Sequence, residues 1–267
     1  MATFSNRSTF FQPNCVATFE QVHFDEGRFR RAYRGQWTTP EKYGQKCVIK
    51  RMKSGYVWAA NGWDSTIKIY DRAGAIAQQF NQSVRPNYPI CFTSIGTYVV
   101  INSNPKEYVV AEDYLEGVFM KWCNNYGYIS PKAMSEHIMM PAFVHWSWLY
   151  TSGQEMVCDL QGTRDENGYH LTDPVILSLN NTYGETDMGI EGMAMFFMNH
   201  QCNSICRGWR RPHWESFIGK IPRETLAACQ LMQSQVNNAT SYRFEMKFPP
   251  STKDIVKRVF LQIAQAQ

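Results

Sequence analysis

No apolar run in this 267-residue chain approaches the ~18–20 residues of a membrane-spanning helix. Charge is also sparse. Charged residues make up 19%, and the formal balance is only +4, a mild excess that favours acidic ligands without requiring nucleic acid. Internal repeats and low-complexity tracts are missing, which excludes disordered and collagen-like classes. The opening Met-Ala-Thr-Phe-Ser-Asn-Arg lacks the apolar core of a signal peptide, so the expectation is a cytoplasmic protein. The familiar phosphate-binding signatures are absent too. Neither G-x4-G-K-[ST] nor a G-x-G-x-x-G placed after a strand occurs, and the kinase pair H-R-D-x4-N and D-F-G is not present. A phosphotransferase with this sequence is not a conventional one.

What is present is globular: 44% hydrophobic and 14% aromatic, enough for one large core or two lobes. Of eight cysteines, Cys15, Cys47, Cys91, Cys123, Cys158 and Cys229 stand alone and read as buried or inert thiols. The first part of the chain reads as strands (29–34, 47–50, 90–95, 98–102, 108–112) around one helix at 65–80, despite Gly74. After Glu112 the pattern changes; Tyr114-Leu115-Glu116-Gly117 reads as a connector, and the lobe boundary is expected there. A helix interrupted or started near Pro141 is expected within 134–150, then a strand at 155–158. Ile190, Met193, Ala194 and Phe197 mark one face of a buried helix, and 226–236 is a further helix candidate.

Three clusters carry chemistry. His200, Cys202 and Cys206 form an H-x-C-x3-C group at a helix end; zinc takes four N or S ligands, so a fourth would come from elsewhere in the fold. The plainer alternative is a capping histidine beside two free thiols. Asp159, Gln161 and Asp173 gather two carboxylates and an amide oxygen around a short loop, a set that suits Mg²⁺, although exposed loop aspartates are common. Lys50 ends an apolar strand, where its charge either snorkels to solvent or meets a partner such as a phosphate.

These residues resemble the alpha-kinases, in order, across most of the chain. Phe24-Asp25-Glu26-Gly27-Arg28-Phe29-Arg30-Arg31-Ala32-Tyr33 is similar to the family's first glycine loop and strand, and Cys47-Val48-Ile49-Lys50-Arg51 to its ATP-lysine strand. Val110-Ala111-Glu112-Asp113-Tyr114-Leu115-Glu116-Gly117 resembles the hinge, and Lys121-Trp122-Cys123-Asn124-Asn125 the K-Y-N-N-N segment. Ala142-Phe143-Val144-His145-Trp146 followed by Asp159-Leu160-Gln161-Gly162 reproduces A-F-S-H-W…D-L-Q-G, and Gly192 to Cys206 completes the series.

The resemblance implies a two-lobed, atypical protein-kinase-like α+β fold with a structural zinc site in the second lobe. It divides the chain into an ATP-binding N-lobe (1–112), a C-lobe with the catalytic loop and zinc module (113–207), and an extension of unassigned role (208–267). It implies transfer of the ATP γ-phosphate to a serine or threonine. His145 becomes the fourth zinc ligand. Arg30 and Lys50 hold phosphates, with Lys121 and Asn125 nearby, while Glu112, Asp113 and Leu115 form the adenine hinge. Asp159 is the catalytic acid–base residue beside the catalytic Lys50, and Gln161 and Asp173 ligate Mg²⁺ or Mn²⁺. The implied partner is a protein substrate presenting Thr or Ser, a helical segment among the options, with no membrane or nucleic acid. Two departures stand out: Thr163–Thr172 is longer than in the family, and Asp187 occupies a usual asparagine position, where it could repel acidic substrates. The rivals are an inactive nucleotide- or phosphopeptide-binding scaffold and a zinc-dependent nucleic-acid module. The first would need loss of Lys50, Asp159, Gln161 or Asp173, and all four are present.

Overall fold

Short strand-forming stretches open the chain: β1 (Ala2–Asn6), β2 (Val16–Phe19), β3 (Asp25–Glu26), β4 (Arg30–Trp37) and β5 (Lys46–Met52). Helix α1 (Asp64–Val84) follows, then β6 (Ile90–Phe92), β7 (Ile95–Val100), β8 (Tyr108–Asp113) and β9 (Met120–Lys121). The remainder holds α2 (Pro131–Ser135), α3 (Met139–Tyr150), β10 (Glu155–Cys158), β11 (Gln161–Arg164), β12 (Tyr169–Thr172), β13 (Val175–Ser178), α4 (Gly189–Asn199) and α5 (Pro250–Gln265). The computed structural model describes residues 2–6, 16–100, 103–213 and 247–266. They fall into two units, one drawn from Met1–Arg72 and Thr93–Glu116, the other from Ala73–Phe92 and Gly117–Gln267.

In the first unit the strands pair in the order β2-β1-β7-β8-β5-β4-β3, and a further β2–β4 pairing closes six of them into a ring with β3 attached outside. Closure leaves few unpaired edges. Side chains alternate across the pleat, so each strand sends one set inside the ring and the other out. Ala17, Phe19, Tyr33, Trp37, Cys47, Ile49, Tyr98, Val109 and Ala111 form the interior cluster. The opposite parity places Ile95 and Val110 with Trp63 and with Tyr70 of α1. This second face also receives Lys50 and Glu112, because Lys50 pairs with Val110 and Val48 with Glu112 in the β5–β8 ladder.

The second unit holds a four-stranded sheet, β6-β12-β11-β9, and a two-stranded β10–β13 ladder. Helix α3 is buried on nearly every side, including Phe143, His145 and Trp148. Phe80 packs edge-on against Phe143 and Trp146, at 5.2 and 5.4 Å between centroids. Helix α5 buries Thr252, Val256, Phe260 and Ala264, a stripe at four-residue spacing. Phe260 meets Trp148 and Phe197 at 5.8 and 5.9 Å, and Lys253 pairs with buried Glu191 of α4 at 3.2 Å. This part of the C-terminal extension is a packed element of the second unit.

Several expectations shift. The predicted strand around 90–95 splits: Ile90–Phe92 pairs in parallel with β12 of the second unit, while β7 begins at Ile95. Of the two readings at Pro141, interruption or start, the start holds, with α3 beginning at Met139. The break lies at 136–138, and Pro141 sits in the first turn of α3, where an amide hydrogen has no helical partner to lose. The first unit runs to Glu116, with Tyr114 N–H donating to Lys46 O and Lys46 pairing with Glu116 at 2.8 Å. Gly74 is absorbed without interrupting α1, its missing Cβ facing open space. The helix expected at 226–236 and the thiols Cys15 and Cys229 lie outside the described residues.

Candidate active site and metal centre

Lys50 does not snorkel. Its ammonium lies 2.6 Å from Glu112 Oε1, with both side chains about 5% exposed or less. Tyr70 on α1 closes the group: Lys50 Nζ donates to its hydroxyl at 3.0 Å, and that hydroxyl donates to Glu112 Oε2 at 3.3 Å. Thr93 Oγ1 donates to the same Oε2 at 2.7 Å. Burying two charges is costly, and such a pair persists where hydrogen bonds satisfy its remaining atoms. Glu112 thus commits its carboxylate to Lys50. Its peptide faces β5 and β7 partners (Val48 and Ile95), and its carboxylate faces Lys50. Asp113 is likewise engaged, accepting from Trp37 Nε1 at 2.9 Å and from Lys42 Nζ at 2.8 Å. Leu115 lies past the end of β8 and is half-buried. Arg30, on the same sheet face as Lys50, donates to Thr66 Oγ1 at 3.1 Å and stacks on Trp63 at 5.8 Å.

In the second unit, the chain leaves β10 at Asp159 with φ +57° and re-enters β13 after Asp173 with φ +48°. Aspartate tolerates the left-handed region better than most residues, and strain of this kind gathers at functional sites. Cys158 pairs with Val175 below these two residues and Gln161 pairs with Thr172 above them. The two aspartates thus leave the same pair of ladders together, and the added length of 163–172 is absorbed by the far end of the β11–β12 hairpin. The reach of Asp173 does not depend on that length. Gly162 permits the close approach of β11 to β12: its φ is +150°, and a Cβ there would collide with His170 O.

Lys121 sits opposite Gln161 in the β9–β11 ladder, and its ammonium is 2.6 Å from Asp159 Oδ1. Gln161 Nε2 donates to Asp159 Oδ2 at 3.4 Å. Burial pushes the Asp159 carboxyl above the usual carboxylate range; Lys121 opposes that rise and the Asp173 charge adds to it. Two carboxylates and an amide oxygen converging beside a lysine form a set that can hold a hard divalent cation and take up a proton. Asn125 is buried and its amide donates to Thr186 O at 2.9 Å, tying β9's following turn to the 178–189 loop. Asp187, expected to face substrate, is instead 5% exposed. It accepts from Ser178 N–H, Ser178 Oγ, Tyr183 N–H and Gly189 N–H, so its charge is spent bracing that loop.

His145 on α3 meets His200, Cys202 and Cys206 at the end of α4, with all four ligand atoms within 4.8 Å of one another. A tetrahedron with ligand distances of roughly 2.0–2.3 Å has edges of roughly 3.3–3.8 Å. Cys202 Sγ stands 3.8 Å from His145 Nδ1 and from His200 Nε2, and Cys206 Sγ stands 3.5 Å from His200 Nε2. The donor set and its spacing fit zinc. His145 Nε2 lies 2.8 Å from Arg210 O; donating there, it leaves Nδ1 as the free ligand atom. Arg211 contributes a guanidinium 3.8 Å from Cys202 Sγ and donates to Phe197 O at 2.8 Å. Burial lowers His145 to about 4 and His200 to about 3, keeping both imidazoles in the neutral ligand form. It pushes the Cys206 thiol up to about 11.

A profile of the alpha-kinase family matches residues 25–206. This chain belongs to the alpha-kinase family. Alpha-protein kinase vwkA of Dictyostelium discoideum is 28% identical over 190 residues, taking in 69% of this chain and 29% of that protein. An alpha kinase of Entamoeba histolytica superposes with a TM-score of 0.63 at 24% identity, covering 80% of this chain and 91% of the other. The alpha-kinase domain of myosin heavy chain kinase A in complex with ADP gives 0.61 at 22%, covering 77% and 93%. The chain spans less than a third of the length of the curated relatives it matches. Its fold is the mixed α+β alpha-kinase fold, and it is an alpha-kinase domain of the atypical protein-kinase kind. No described helix is long and apolar enough to cross a membrane.

Sequence reasoning missed Tyr70, Thr93 and Arg210 in this alpha-kinase. Tyr70 had one signal, a hydroxyl set in the apolar stripe that continues through Ala73, Ala77 and Phe80. Thr93 and the Arg210 carbonyl had none, because their partners are distant in the chain.

Proposed function

We propose that this alpha-kinase transfers the γ-phosphate of ATP to a threonine or serine of a protein substrate. In this reading the first unit is the ATP-phosphate lobe, and the second carries the catalytic loop and the zinc module. Asp159 orients the substrate hydroxyl and accepts its proton as the oxygen–phosphorus bond forms and the β–γ bridging bond breaks, releasing ADP. Lys50, Arg30 and Lys121 counter the phosphate charge, with Asn125 holding the adjacent turn, and adenine meets the backbone beyond β8 near Leu115. Gln161 and Asp173 would hold Mg²⁺ or Mn²⁺, which when bound neutralises charge on the phosphates. His145, His200, Cys202 and Cys206 would hold zinc. Four protein ligands leave no open position, so its part is structural. The observation that carries the reading is the Lys121–Asp159 contact of 2.6 Å beside Gln161 and Asp173. Free thiols at Cys47, Cys91, Cys123 and Cys158 support a cytoplasmic setting.

The test is incubation of the purified chain with Mg²⁺, labelled ATP and a threonine-containing helical peptide, alongside Asp159→Ala. Label is expected on the peptide from the parent chain only. Equal incorporation by both proteins, or none by either, contradicts the proposal.

A further inference from the structure

We infer that the Tyr70 hydroxyl is a positioning group for Lys50, through which helix α1 sets the orientation of the lysine. The inference rests on the reading of Lys50 as a phosphate-holding residue. Lys50 lies on β5 and Glu112 on the adjoining β8, so the ion pair alone ties the ammonium only to its own sheet. Tyr70 comes from a different element. Its hydroxyl accepts from Lys50 Nζ at 3.0 Å and lies 3.3 Å from Glu112 Oε2, bridging both charges. The residue is 4% exposed, and a phenol so deeply buried needs a partner. Here the partners are the two charged groups themselves.

The carboxylate is held at both oxygens. Oε1 faces Lys50 at 2.6 Å, while Oε2 takes Thr93 Oγ1 at 2.7 Å along with the Tyr70 hydroxyl. With Oε2 pinned, Glu112 cannot rotate to follow the ammonium, and the ammonium is left with a defined direction. The tyrosine ring also lies 5.7 Å from Nζ and is part of the cluster with Trp63, Ile95 and Val110. Removing the hydroxyl alone therefore separates orientation from packing, since phenylalanine keeps the ring contacts.

The experiment compares Tyr70→Phe with the parent chain in two ways. In the kinase assay, KM for ATP is expected to rise about tenfold, in line with losing one hydrogen bond to a charged group, with kcat within about twofold. A lost orienting contact to bound phosphate acts on both ground and transition states, hence the split. Without nucleotide, brief labelling with acetic anhydride and mass spectrometry should show Lys50 modified several-fold faster in Tyr70→Phe, at a melting temperature within a few degrees of the parent. Thr93→Val should move both readings in the same direction but less. The double variant Tyr70→Phe/Glu112→Gln should be worse than Glu112→Gln alone, because the hydroxyl also holds the ammonium directly at 3.0 Å.

Unchanged KM and unchanged Lys50 labelling in Tyr70→Phe would overturn the inference, as would a lower melting temperature with kinetics of the folded fraction intact. The labelling arm needs no turnover. Failure of the parent chain to phosphorylate would sink the kinase reading, while the labelling contrast still decides whether the hydroxyl orients Lys50.

Discussion

Replacing Lys121 by methionine should move the acid limb of catalysis, and the structure sets how far. The ammonium is 2.6 Å from Asp159 Oδ1, but the lysine side chain is 40% exposed. Solvent screens such a contact, so the water-like limit of Coulomb's law is the appropriate one: about 1.6 kcal/mol at this distance. That corresponds to about one pH unit. Asp159 already sits above the usual carboxylate range because of burial, with Lys121 pulling it down and Asp173 pushing it up. Removing the cation lets it rise further. The base works ionised, so the acidic limb of kcat/KM should shift to higher pH by about one unit in Lys121→Met. The height of the profile will fall as well, since Lys121 is assigned to phosphate. The position of the limb is the readout, and NMR titration of the ¹³C-labelled Asp159 carboxyl reads the same shift without turnover. A limb that stays in place, or moves to lower pH, refutes the electrostatic reasoning.

The raised Asp159 carboxyl also means that its ionisation opposes folding: stability is gained as pH falls through the folded value and lost as pH rises through it. Asp159→Asn should therefore melt a few degrees higher than the parent at neutral pH while losing phosphate transfer; calorimetry showing a lower melting point counts against this. Metal analysis of the purified chain should find about one zinc per molecule, and Cys206→Ser or chelation should cost a large share of stability, since small zinc sites contribute on the order of 10 kcal/mol. A metal-free chain with an unchanged melting temperature would contradict the four-ligand assignment. Phe260→Ala should destabilise by about 3–5 kcal/mol, because this 1%-exposed ring fills the space against Trp148 and Phe197. Urea melts with a midpoint near that of the parent would mean α5 is not part of the core.

The local chemistry of this protein was legible early because it is written in contiguous runs. Asp159, Gln161 and Gly162 sit in one short stretch, and three of the four residues of the candidate metal cluster lie between 200 and 206. Short apolar runs at 47–50 and 108–112 marked strands. Pairing was not legible. Ile90–Phe92 looks like any neighbouring strand, yet it joins β12 almost eighty residues on. Asp187 looked like a surface charge because its four donors come from a loop whose closure depends on the fold. Nothing local says that the Glu112 carboxylate meets a lysine on the next strand and a tyrosine on a helix.

By itself, the order of residue types determined the family, the strand and helix periodicities and which residue types are candidates for the site, because each depends on neighbours within a few positions. The tertiary structure decided which of those groups meet. Sheet register, and not spacing along the chain, put Lys50 beside Glu112 and Lys121 beside Asp159. The crossing of α3 with the end of α4 brought His145 to the other three ligands. A contact between distant residues is set by the packing that minimises exposed apolar surface and unpaired polar groups over the whole unit. No short window of sequence contains that sum.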